Sequence, residues 1–154
     1  MASQVRRAGV ISAFPLLAII LFLYNMVVFG YWTFGTSDGV QDLLAGQFTM
    51  TLISKDVWHV SLGDMFLIAS LVLLFFEFIK SSGTETPTIV NHALSFAVFV
   101  IALIEFITVA GFGNSTFFLF TLITLIDVVA GFITTIVSAR RDFGGGGAPL
   151  VTTN

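Results

Sequence analysis

Four windows of about 20 apolar residues occupy most of this chain, the length an α-helix needs to cross a hydrocarbon layer about 30 Å thick. They run from about Val10 to Tyr31, Val60 to Ile79, Ile89 to Phe112 and Phe117 to Ser138. Only 10% of the 154 residues are charged, against about 25% in soluble domains. Little chain is left for a separate soluble domain. The reading is an all-α integral membrane protein, with one domain over residues 1–143 built as an up-and-down bundle of four transmembrane helices. Residues 144–154, with Gly144 to Gly147 followed by Ala148-Pro149, read as a flexible cytoplasmic tail.

The distribution of charge sets the expected orientation. Arg6 and Arg7 precede the first span, Lys80 follows the second, and Arg140 and Arg141 follow the fourth. The other side receives Asp38, Asp42, Lys55 and Asp56, so the positive-inside bias places both termini in the cytoplasm. The expected location is a bacterial inner (plasma) membrane. Arg6-Arg7 before an apolar run suggests a signal peptide, but the run is long and no small-residue cleavage pattern follows. It ends in Phe29-Gly30-Tyr31-Trp32, an interfacial anchor, and is expected to remain as the first span. The absence of cysteine excludes a disulfide framework, a thiolate metal site and a cysteine nucleophile.

Between the first two spans, Thr33 to His59 is the one substantial extramembrane segment. Asp38 followed by Gln41 resembles a capping box, and Val40, Leu43, Leu44 and Phe48 fall on one helical stripe. A short amphipathic helix on the outer leaflet is expected. The competing reading is a strand through Thr49 to Ile53, where apolar residues and threonine alternate. Pro15 is expected to kink the first span near its cytoplasmic end. Gly111, Gly113, Asn114 and Ser115 form so short a connection that the third and fourth spans must be antiparallel neighbours.

Chemistry centres on Asp127, in the middle of the fourth apolar run. No lysine or arginine lies within any of these runs, and a lone ionisable group at bilayer depth costs roughly 2.5 to 3.5 kcal/mol on insertion scales. Three roles fit: a hydrogen-bonded structural acid, a proton or cation site, or a docking point for a basic group of another subunit. At a rise of about 1.5 Å per residue, Asp127 is about 16 Å below the outer surface, Glu105 about 9 Å and Asp64 about 6 Å. Glu77 and His92 read as an inner-surface polar pair, reaching headgroup water from the helix ends. Thr121, Thr124, Asp127, Gly131, Thr134 and Ser138 share one face of the fourth span, a small and polar stripe of the kind that helix interfaces in lipid favour. The candidate set is Asp127, Glu105, Asp64, Asn25 and Thr124, with a threonine, Asn25 or Glu105 as the expected partner of Asp127.

Other chemistries find no support. His59 and His92 lie at opposite depths, which excludes a haem held by both, and Asp64, Glu105 and His59 lack the spacing of a metal site. No cofactor or metal is expected. There is no phosphate loop, serine nucleophile motif or basic nucleic-acid surface, so neither an enzyme nor a nucleic-acid partner is expected. Asn114-Ser115-Thr116 matches a glycosylation pattern but lies against the membrane. In layout the chain looks like the small multidrug transporters and resembles the membrane glutathione-transferase type of bundle. The first group depends on a glutamate in the first span, which is missing between Val10 and Tyr31, and the second uses clusters of arginine that Arg140 and Arg141 alone do not match. No family is assigned.

The expected function is non-enzymatic: an accessory, assembly or stabilising subunit of a larger membrane complex, with lipid and other integral subunits, or copies of itself, as partners. The alternative is a small oligomeric proton-coupled or cation transporter, with Asp127 as coupling acid and Glu105 and Asp64 as an outer relay.

Overall fold

The computed structural model describes residues 14–34, 38–81 and 88–144, so the expected flexible tail lies outside the described residues except for Gly144, which ends the last helix. The elements are α1 (Leu17–Phe34), α2 (Asp38–Leu44), β1 (Gln47–Thr51), β2 (Val57–Ser61), α3 (Leu62–Ser81), α4 (Thr88–Thr108) and α5 (Ser115–Gly144). Four of them, α1, α3, α4 and α5, are long and apolar enough to cross a membrane. Helix α5 packs along both α4 and α3, and α1 packs against the same two.

Several boundaries move from their expected places. Pro15 stands before α1 rather than inside it, where a missing N–H costs nothing, and its carbonyl accepts the Ala18 N–H at 3.2 Å. It caps a helix start instead of kinking a span. Val60, expected to open the second span, belongs to β2. Helix α4 ends at Thr108, and the connection to α5 buries Phe112 completely. Gly111 supplies the positive φ of 88° that this turn needs, and a Cβ there would press on Val28 Cγ1 at 3.0 Å.

The segment after α1 holds both a helix and strands. α2 forms where the apolar stripe predicts it, but Val40 and Leu44 are buried in the protein core rather than laid on a lipid surface. Phe48 leaves the stripe altogether. It sits in β1, which pairs antiparallel with β2, with Phe48 opposite Val60 and Met50 opposite Trp58. The strand reading was therefore right in kind and displaced by two residues, and its partner strand was missed.

β2 passes directly into α3 through a capping box. Ser61 Oγ accepts the Asp64 N–H at 3.0 Å, while Asp64 Oδ2 accepts the Ser61 N–H at 2.8 Å and the Ser61 hydroxyl at 2.7 Å. Asp64 thus satisfies the orphan donors of a helix start. Ser61→Ala is expected to cost about 1 kcal/mol. Asp64→Ala should cost a similar amount, and the double variant little more than either. Thermal melts of the four proteins in one detergent would reveal this non-additivity; fully additive losses would mean that the two side chains act separately.

The core at the hairpin end is aromatic. Tyr24 is buried, with its ring centroid 4.7 Å from that of Phe117 and 5.5 Å from those of Phe66 and Phe112. Its hydroxyl accepts from Asn114 Nδ2 at 2.7 Å, and Asn114 Oδ1 accepts the Phe117 N–H at 3.0 Å as the N-cap of α5. Both ends of the Asn114 amide are thereby committed, so the glycosylation pattern there has a structural use.

Candidate functional site

At the opposite end of the helices, polar side chains converge around Glu77. This residue follows a run of apolar side chains in α3, and it is 1% exposed. Its Oε2 accepts the backbone N–H of Leu16 at 2.7 Å, just before α1 begins. Its Oε1 accepts from Asn91 Nδ2 of α4 at 3.3 Å and pairs with Lys80 Nζ at 2.7 Å. Lys80 in turn donates to the Phe14 carbonyl at 2.7 Å. One carboxylate therefore joins α1, α3 and α4. It lies at a helix N-terminus, where backbone N–H groups and the helix dipole both favour an anion.

This overturns the expectation that Glu77 and His92 are solvated helix ends. A rise per residue gives depth along an axis, but not what covers the side chain. Here the entry to α1 closes over Glu77, and His92 is 9% exposed with its ring packed against Gly131. A Cβ at position 131 would collide with the imidazole, so the small residue in the α5 stripe makes room for His92.

Asp127 joins this same group. It is 6% exposed, beside Ser95 and within electrostatic reach of Glu77 and Lys80. The carboxylate expected to have no basic residue near it thus has Lys80 in its surroundings, contributed by the end of another helix. A pocket of about 290 Å³ opens next to it, lined by Phe78, Asn91, His92, Asp127, Ala130, Gly131, Ile133 and Thr134. Two buried polar atoms that line it, Asn91 Oδ1 and His92 Nε2, have no hydrogen-bond partner among the described residues, whereas Ser95 Oγ has the Asp127 carboxyl beside it. Buried polar atoms are nearly always satisfied in native proteins, so two in one pocket wall are unusual.

The remaining candidates lie elsewhere. Asn25 Nδ2 donates to Glu105 at 3.1 Å and to the Leu21 carbonyl at 3.0 Å, forming a separate tie between α1 and α4. Asn25 and Glu105 therefore partner each other, and not Asp127. Thr124 is buried and spends its hydroxyl on the Thr121 carbonyl at 2.7 Å. Asp64 is an exposed cap. The structure brings Asp127, Glu77 and His92 to one place, separates Glu105 with Asn25, and leaves Asp64 outside both groups.

Asn91 and Ser95 are not singled out by the sequence, and Lys80 only as a marker of orientation. Asn91, Ser95, Val98 and Ala102 recur every three or four residues, and all four are buried. That spacing marks a second small and polar stripe, matching the one on α5. Searching for acids alone passes over it. Among the described residues no group of three or more His, Asp or Glu side chains is arranged to hold a metal ion. No protein-family model, curated protein or solved structure matches the chain.

Proposed function

We propose that this chain is a multi-pass membrane protein, an up-and-down bundle of α1, α3, α4 and α5, that serves as a non-enzymatic accessory or assembly subunit of a larger membrane complex. The observation that carries this reading is the hairpin. Phe48, Met50 and Trp58 share one of its faces and are 64%, 61% and 51% exposed. They lie outside the four long apolar helices, where an exposed apolar patch marks a contact site. The polar residues inside the bundle favour the same reading. Glu77, Asn25 with Glu105, and Tyr24 with Asn114 each tie two or more elements together, as expected of a rigid subunit.

The test is a photo-crosslinking residue at position 50, used in the native cell. Cross-linking to a membrane protein of different sequence, at defined stoichiometry, is the expected result. Cross-linking only to lipid, or only to a second copy, contradicts the accessory role.

A second reading, a small oligomeric proton-coupled or cation transporter, draws on the pocket beside Asp127. An outer relay does not support it, because Asp64 is held by Ser61 and Glu105 by Asn25. Under this reading Asp127→Asn abolishes proton or cation flux in liposomes while leaving the fold intact; under the accessory reading there is no flux to lose.

A further inference from the structure

We infer that the pocket between α4 and α5 is a binding site for a small organic ammonium ion, a role independent of the subunit function proposed above. Three features carry the inference. The first is charge: Lys80 is held by Glu77 and by the Phe14 carbonyl, and among the described residues the Asp127 carboxyl at the pocket wall has no ion-pair contact. The second is the unsatisfied polar atoms. Asn91 and His92 line the pocket, are at least nine-tenths buried, and have Oδ1 and Nε2 without hydrogen-bond partners among the described residues. The third is shape and lining, since Phe78, Ala130 and Ile133 supply apolar wall to a volume of about 290 Å³.

These features select among cations. A protonated primary amine carries three N–H donors in a pyramid. The site offers three acceptors of different types: the Asp127 carboxylate, the Asn91 amide oxygen, and the His92 Nε2 lone pair when its proton is on Nδ1. A hard metal ion needs about six oxygen ligands, and no metal-holding cluster exists among the described residues. The apolar wall would be left idle by an inorganic ion and covered by the alkyl or aryl group of an amine. An ammonium ion brings the opposite charge that stabilises the ionised form of the buried Asp127 carboxyl, which a neutral ligand cannot supply.

The chain's two histidines make the test direct. His59 stands in the hairpin, far along the sequence from the pocket, and serves as an internal reference for His92. The full-length protein in detergent micelles is titrated with benzylammonium chloride while the imidazole Cε1–H resonances are followed by NMR. The expected result is a saturable shift of the His92 resonance with that of His59 unmoved, and no such shift with benzyl alcohol or sodium chloride. Asp127→Asn should weaken binding by at least about tenfold, as loss of a charge partner in a low-dielectric site implies. Ile133→Trp leaves the polar groups in place and fills the mouth; it should abolish the shift. If Asp127→Asn disturbs the His59 resonance and so the fold, Ile133→Trp decides the matter. No saturable shift, an equal shift with benzyl alcohol or sodium chloride, or binding that survives Ile133→Trp overturns the proposal.

Discussion

Glu77→Ala is expected to destabilise this protein by about 3 to 5 kcal/mol, the range found when one partner of a buried ion pair is removed. The substitution takes the acceptor from the Leu16 N–H, from Lys80 and from Asn91 at once. Lys80 is 22% exposed and recovers part of its solvation. The Leu16 N–H belongs to the unpaired first turn of α1, so the N-terminal turns of that helix should fray. Glu77→Gln retains an acceptor for Leu16 but loses the charge, and should cost clearly less. Unfolding in mixed micelles, followed by circular dichroism, ranks the two variants; hydrogen exchange at residues 16–19 locates the damage. Equal stability of Glu77→Ala and the parent protein would mean that the carboxylate is solvated after all.

Asn114→Ala should be the other severe change, at about 2 to 4 kcal/mol: loss of an N-cap accounts for about 1 kcal/mol, and a buried hydroxyl left without a partner for about 1 to 3 kcal/mol more. The hydroxyl is that of Tyr24, whose ring lies in the aromatic core of the hairpin end. Tyr24→Phe removes both the hydroxyl and its need for a partner, and should cost only about 1 kcal/mol. In the Tyr24→Phe background, Asn114→Ala should then cost little more than the cap alone. If Asn114→Ala is equally damaging in both backgrounds, the bond to Tyr24 contributes nothing.

What the sequence made legible follows from how strongly each signal is tied to local geometry. Four apolar helices are written in the chain because a membrane-length helix needs about 20 apolar residues and has few competitors. The hairpin is written too, but faintly. Val57-Trp58-His59-Val60 is a β-branched and aromatic run beyond the polar residues Ser54, Lys55 and Asp56, which makes it a natural partner for β1. Hydropathy absorbed Val60 into the next helix and hid the strand. The capping role of Asp64 is a fixed four-residue pattern, Ser61 to Asp64, and was open to view.

The polar cluster was beyond reach for a different reason. Axial depth places Glu77 and His92 near a surface. It does not say which neighbouring helix faces which side chain. Glu77 is buried because the chain around Pro15 and Leu16 returns over it, a contact across 61 residues. The meeting of Asp127 with His92 depends on the α4 and α5 stripes coming into register at Gly131. Such contacts are properties of packing, not of any one segment.

The account rests on this chain working with other membrane proteins, and its composition in the cell tests that most directly. The measurement is native mass spectrometry after mild-detergent purification through a tag at the C-terminus. A stoichiometric assembly containing membrane proteins of other sequences is the predicted result. A pure homo-oligomer, or a monomer that stays alone at native expression levels, contradicts the account.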